Sequence, residues 1–299
     1  MAPAFGVHTG LQNTTVGELR SLWTRIEDLG FDWISIWDHL YAGDLTGPHS
    51  LEAVAMHAAL ALCTERVRCG SLVYCAAFRH PAVLANAAVT VDHLSGGRAE
   101  LGLGAGWAEP EFRAHGIPFL PPGGRADVLE ESARCVLALL RDEVAGFDGR
   151  HFRLDGARLE PRPVQDRLPL WIGGGGERRT LRLAAEVADG WNVPFVSPER
   201  FAEKRAVLHR HCEAVGRDPA EIRTAVNVAL CWTEEQLVEQ FGGLTEKVRP
   251  GVLGGSDQEL ADRVGAYEAA GADRVIVAMR APWDVEGIER FASVVGLGR

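Results

Sequence analysis

Metal-binding spacing is missing from this chain. Its six cysteines (Cys63, Cys69, Cys75, Cys135, Cys212 and Cys231) contain no Cys-x-x-Cys pair. No His, Cys and carboxylate cluster has metal spacing either, so no metal is expected. The cysteines read as free thiols, mostly small core residues, in a reducing cytoplasm. No apolar run reaches the ~18 residues of a membrane span. Positive charge is in deficit: 31 Lys plus Arg face 41 Asp plus Glu, a net charge of -10. Nucleic acid and anionic membranes both demand a basic face, so neither is an expected partner. The start, Met1-Ala2-Pro3-Ala4-Phe5, has no basic segment before an apolar one, so no secretory signal is read and a cytoplasmic location is expected. Gly-x-Ser-x-Gly and P-loop patterns are absent. There is no low-complexity segment and no internal repeat.

Glycine is plentiful, with 34 residues. Leu101-Gly102-Leu103-Gly104-Ala105-Gly106-Trp107 and Trp171-Ile172-Gly173-Gly174-Gly175-Gly176 each follow a short apolar run that reads as a buried strand. A missing Cβ lets a ligand approach the backbone. After the second run a helix is read from Glu177 to Ala188. Glycines between a strand end and a helix N-terminus suit an anion, because N–H groups and the helix dipole point the same way. Two such places suggest a large cofactor bearing phosphate.

Strand and helix signals alternate along the 299 residues. Strands are read over 4–9, 33–37, 67–74, 99–103, 168–172, 191–193, 222–230 and 275–279. Thr15-Val16-Gly17-Glu18 and Ser256-Asp257-Gln258-Glu259 are capping boxes that open helices. Pro81 opens another helix at its favoured first position. Helices are also read over 50–64, 125–141, 198–215 and 284–295. Residues 105–124 are loop-like and 146–166 form a surface hairpin; 105–166 is an insertion plus one barrel helix. Eight strands, each with a helix, imply a single α/β domain over 1–299, a (β/α)8 TIM barrel with an insertion after strand 4. Such barrels take ~250 residues and place their chemistry at the strand C-termini.

Several stretches carry a resemblance. They are Trp37-Asp38-His39-Leu40, Phe78-Arg79-His80-Pro81-Ala82, Asp92-His93-Leu94-Ser95-Gly96-Gly97-Arg98 and Gly102-Leu103-Gly104-Ala105-Gly106-Trp107. Gly174 to Ala185 and Ala188-Asp189-Gly190-Trp191-Asn192 complete the set. Over residues 5–225 the chain resembles the luciferase-like monooxygenase superfamily, and within it the branch that uses the 8-hydroxy-5-deazaflavin coenzyme F-420. The resemblance implies a ring system across the barrel mouth. It also implies a non-proline cis peptide at Leu72–Val73 backing that ring.

Candidate residues follow. His39, with Asp38 setting its orientation, would bond the ring edge or substrate and move a proton. The alternative is an N-cap Asp with an incidental His. Gly173, Gly174, Gly175 and Gly176 with Glu177 and Arg178 would hold the phosphate, and Arg179 beside them suits it as well; otherwise they are a tight turn. Leu72, Val73, Gly106 and Trp107 would line the ring, or Trp107 is a core lid. Trp107, Glu109, Trp191 and Arg280 would border the substrate. Some family members carry a proton-donating carboxylate where this chain has Trp107, which leaves Glu109, Glu111 or water to supply a donor. Arg79, His80 and His115 read as caps or ligand contacts. Loops 41–49 and 105–122 would shape the pocket.

The expected activity is hydride transfer between coenzyme F-420 and a small organic substrate. The alternatives are an FMN-dependent monooxygenase on the same barrel and a non-catalytic flavin- or deazaflavin-binding protein. A homodimer is the assembly considered.

Overall fold

The computed structural model describes residues 3–41 and 49–298. Eight strands form the barrel: β1 (Ala4–Thr9), β2 (Trp33–Ile36), β3 (Arg68–Ser71), β4 (Ala99–Gly104), β5 (Leu170–Gly173), β6 (Gly190–Pro194), β7 (Arg223–Leu230) and β8 (Arg274–Met279). Each pairs in parallel with the next, and β8 pairs with β1 to close the ring. The strands are buried on both faces, as a helix-covered parallel barrel requires. Around them run α1 (Val16–Asp28), α2 (Ala53–Cys63), α3 (Pro81–Ser95), α4 (Pro122–Arg141), α5 (Thr180–Val187), α6 (Pro198–Val215), α7 (Asp257–Ala269) and α8 (Val285–Val294).

Local chemistry sets the helix ends. Both capping boxes form, at Thr15/Glu18 and Ser256/Glu259. α3 starts at Pro81 with His80 as its cap and stops at Gly96, whose φ of 64° is left-handed. The cysteines are free, and all but Cys63 are buried. Among the described residues no helix is long and apolar enough to cross a membrane.

The barrel interior is plugged toward its N-terminal end. Trp33, Leu72, Trp171, Ala225 and Ile276 form a separate apolar cluster there. Below them Glu100 is buried and accepts from Trp171 Nε1 at 2.7 Å and Arg274 at 3.3 Å, with Arg68 also bonded to it. Burial alone would raise the Glu100 carboxyl, but Arg274, Arg68 and Arg223 outweigh it and hold the group below its usual range. This end serves stability, which leaves the other mouth for chemistry.

Four sequence readings are corrected. Strand 67–74 is broken: β3 stops at Ser71, Tyr74–Cys75 pairs with β4 on its own, and the Leu72–Val73 peptide between them is cis. The 105–124 stretch holds a helix, Glu109–Ala114, and α4 begins at Pro122 rather than 125. The helix expected from Glu177 begins at Thr180. Residues 231–255, left unassigned, carry helices Glu234–Phe241 and Thr245–Val248. Leu237, Phe241 and Val248 pack there with Ala229 and Cys231 as a satellite core. The hairpin is present as Ala145–Asp148 paired with Arg153–Ala157.

Candidate active site

The site is built from side chains leaving the C-terminal ends of β1, β2, β4 and β8. His39 follows β2. Its Nδ1 lies 2.8 Å from Glu111 Oε1, and Glu111 Oε2 accepts from Leu40 N at 2.8 Å and Tyr41 N at 3.3 Å. Glu111 is buried on the short helix after β4, while the His39 side chain is 18% exposed. Both Glu111 oxygens are acceptors, so His39 donates through Nδ1. Nε2 is left for whatever enters the mouth. Trp107 stands edge-on to His39, with ring centroids 5.5 Å apart, and Lys247 sits 5.0 Å above the Trp107 ring.

Asp38 does not orient His39, contrary to expectation, and it does not face the mouth. It is buried, accepts from Cys75 N at 3.0 Å, and pairs with Arg79 at 2.6 and 3.1 Å. Arg79 also binds Glu52, which caps α2. Burial raises the Asp38 carboxyl above its usual range despite Arg79. Asp38 therefore ties the start of α2 to the segment beyond β3. His80 caps α3, and His115 Nδ1 lies 2.9 Å from the carbonyl of Glu111.

Two other candidates are displaced from the pocket. Glu109 faces outward to Arg113 at 2.7 Å. Trp191 is fully buried, stacks on Phe201, and donates through Nε1 to the Gly174 carbonyl at 2.9 Å. Its large apolar ring follows a strand, so the same sequence signal serves a core residue and a pocket wall. Arg280 does reach the mouth, 5.1 Å above the Trp37 ring and 4.7 Å above Phe241. Residues 42–48 of the expected pocket loop 41–49 lie outside the described residues.

The glycines divide into two groups. A Cβ on Gly104 would lie 2.3 Å from Val73 Cγ2, and one on Gly173 would lie 2.6 Å from Val73 Cγ1. These two glycines make room for Val73, the residue after Leu72, rather than for a ligand. Gly106 is likewise consumed by packing against Cys75 and Phe112, at 2.8 Å each.

Gly174, Gly175 and Gly176 differ. Gly174 N donates to Asn192 O at 2.9 Å with φ 125°, a conformation L side chains rarely adopt. Among the described residues, no group accepts from the N–H of Gly175, Gly176 or Glu177. Lys204, which sequence reasoning missed, is buried on α6. Its Nζ donates to Gly175 O at 2.7 Å and sits 3.3 Å from Glu177 Oε1. Arg200 pairs with the same Glu177 oxygen at 2.7 Å. Arg178 is exposed and has no partner among the described residues, whereas Arg179 points away to Asp127 and Glu130. The strand-five turn thus gathers free backbone donors and a buried ammonium, a fit for an anionic phosphate.

His8, on β1, was also missed. It is buried, its Nδ1 lies 2.7 Å from Ser35 Oγ, and its ring meets Trp37 edge-on at 4.9 Å. Burial, then Arg280 and His39, push its pKa down to about 3, so it stays neutral. Only its position at the end of an apolar strand could have pointed to it. Among the described residues no group of three or more His, Cys, Asp or Glu could hold a metal.

A family model described as luciferase-like monooxygenase matches residues 2–245. An uncharacterized protein of Mycobacterium tuberculosis is 36% identical over 200 residues, 65% of this chain and 69% of that protein. The F420-dependent glucose-6-phosphate dehydrogenase of Microbacterium testaceum is 29% identical over 231 residues, 76% of this chain and 68% of that protein. A solved structure of an F420-dependent secondary alcohol dehydrogenase, in complex with an F420-acetone adduct, has a TM-score of 0.88 at 20% identity over 100% of both chains. That likeness shows a shared fold.

Proposed function

The chain belongs to the luciferase-like monooxygenase family, and from that premise we propose that it is a coenzyme F-420-dependent oxidoreductase acting on a small organic substrate. The observation that carries the reading is the strand-five turn, where free N–H groups of Gly175 to Glu177 surround buried Lys204. Its position beside a histidine at the barrel mouth suits a phosphate-bearing cofactor with its reactive ring over the barrel. The similarity to an F420-dependent glucose-6-phosphate dehydrogenase over 76% of the chain favours the deazaflavin over FMN.

Bound coenzyme F-420 would accept or donate a hydride, and that is the chemistry the protein itself lacks. The residues do the rest. Gly175, Gly176, Glu177, Arg178 and Lys204 hold the phosphate, and Val73 backs the ring. Trp107 shields one side of His39 from water. Glu111 keeps the imidazole donating through Nδ1, so that Nε2 takes the hydroxyl proton when an alcohol is oxidised and returns it in the reverse direction.

A homodimer belongs to the same reading. Leu62 on α2 and Val83 on α3 are 66% and 63% exposed, and give a second copy an apolar face. Light scattering of the purified chain checks this. A cytoplasmic location is part of the reading too, supported by the acidic composition and free thiols.

Equilibrium titration with coenzyme F-420 and with FMN tests the assignment. Tighter binding of the deazaflavin is expected. Micromolar FMN binding with no detectable F-420 binding overturns it and promotes the FMN monooxygenase.

A further inference from the structure

The mouth of the barrel holds polar atoms that the protein leaves unpaired. Gln12 follows β1 and is 4% exposed, yet neither Oε1 nor Nε2 has a hydrogen-bond partner. Trp37 follows β2 and is buried, and its Nε1–H is likewise unpartnered. Trp33 Nε1 and Ser132 Oγ are also unpartnered, but on the barrel plug and on α4.

Gln12 and Trp37 meet over Gly10. A Cβ there would fall 2.4 Å from Gln12 Oε1 and 2.5 Å from Trp37 Cζ2. Cζ2 lies on the N–H edge of the indole, so the amide and that edge stand side by side. The Trp37 ring is 6.3 Å from His39 by centroids. Burying an amide or indole N–H without a partner forfeits its hydration and gains nothing for stability, where a Leu or Met would pack at no such cost.

We propose that Gln12 and Trp37 form the subsite that reads the substrate, and that the substrate class is a polyhydroxylated carbon chain, a sugar or polyol. The proposal rests on the oxidoreductase reading above and deepens it. An amide free at both ends donates through Nε2 and accepts through Oε1, which complements two neighbouring hydroxyls. The Trp37 N–H adds a donor to one of the same oxygens. The subsite lies one ring's width from His39, so a hydroxyl held there belongs to a carbon near the one whose proton His39 takes. Sites that bond a substrate hydroxyl reject analogues without it strongly, because their own buried groups are then left unpaired.

The test uses the F-420-loaded protein with glucose, glucose 6-phosphate and glycerol as polyhydroxylated probes and 2-propanol as the comparison. At least one polyhydroxylated probe is expected to be oxidised with kcat/KM about tenfold or more above 2-propanol. In Gln12→Leu that advantage collapses through KM, the coenzyme Kd stays within about twofold, and the Tm is unchanged or raised. Trp37→Phe keeps the ring, loses the N–H, and shows the same KM effect. A Tm lowered by Gln12→Leu makes the residue structural and overturns the proposal. A tenfold loss of coenzyme affinity moves Gln12 to the cofactor and overturns it too. Oxidation of 2-propanol alone, or of no probe, overturns the substrate class. Failure to bind F-420 at all instead sinks the oxidoreductase reading, while the Tm of Gln12→Leu still decides whether Gln12 is structural.

Discussion

His39 Nδ1 lies 2.8 Å from Glu111 Oε1, a contact across 72 residues that joins the end of β2 to the short helix after β4. The Glu111 carboxylate also accepts from two backbone N–H groups beyond His39, so it fixes both the chain and the ring. His39→Ala is expected to keep the Tm near wild type and to lower turnover about 10²-fold or more, as for a lost general acid or base. Glu111→Ala should lower turnover and stability together. Leu40 N–H and Tyr41 N–H then lose their acceptor, at about 1–3 kcal/mol for a buried donor. Glu111→Gln keeps an acceptor and should recover most of the Tm. Wild-type rates in His39→Ala from pH 5 to 9 reduce the histidine to a structural residue.

The phosphate turn makes a second prediction. Gly174→Val forces a β-branched residue into φ 125° and should lower coenzyme affinity in a protein that still folds. Each charge-assisted hydrogen bond lost should cost about 1.5–3 kcal/mol. Lys204→Met should weaken binding at least tenfold, since it removes a cation and leaves Glu177 with Arg200 as its remaining partner. Titration of both variants checks this, and unchanged affinity in folded Gly174→Val places the phosphate elsewhere.

The barrel was legible in the sequence because alternation of short apolar runs with capped helices is a local signal, and Thr15/Glu18, Pro81 and Gly96 act within a few residues. The cis peptide came from the resemblance, not from the residues. The site was legible only in part. His39 stands at a strand end, but its partner is a distant glutamate and not the adjacent Asp38, which Arg79 claims. Pairing across 72 residues leaves no local pattern. The glycine run marked a close approach without saying of what: Gly173 and Gly104 admit Val73, whereas Gly175 admits Lys204. The 231–255 stretch was missed because Leu237, Phe241 and Val248 bury against their own satellite cluster, too small to show a long periodicity.

Val73 between Gly104 and Gly173 gives a third prediction, readable as a coupling energy. Gly104→Ala places a methyl 2.3 Å from Val73 Cγ2 and should cost about 1–3 kcal/mol by overpacking. In a Val73→Ala background the same substitution should cost much less, so the double-mutant cycle returns a coupling of about 1 kcal/mol or more. Denaturant unfolding of the four proteins measures it. Additive effects mean that the Gly104 backbone, not the Val73 side chain, sets the constraint.

Acid stability gives the last prediction. His57 is buried, with Nε2 3.1 Å from Cys69 O and Nδ1 2.9 Å from Tyr74 OH. Burial lowers its pKa from 6.5 to about 4, against the carbonyl of Cys69. Above pH 6.5 the histidine is neutral in both states and adds no pH dependence. Between pH 6.5 and about 4 the unfolded chain binds the extra proton, so stability falls as pH falls, by about 1.4 kcal/mol per pH unit for this group. His8 acts in the same sense down to about pH 3. Asp38 acts in the opposite sense, because its raised pKa lets the folded state hold a proton that the unfolded chain has released. The comparison must therefore be a difference. His57→Gln keeps a donor and an acceptor for the same partners but cannot titrate. Denaturant unfolding at pH 7, 6 and 5 should show wild type losing more stability than His57→Gln by close to one proton's slope below pH 6. Parallel losses in the two proteins mean that His57 takes up its proton in the folded state, and that the contact with Tyr74 accommodates the imidazolium.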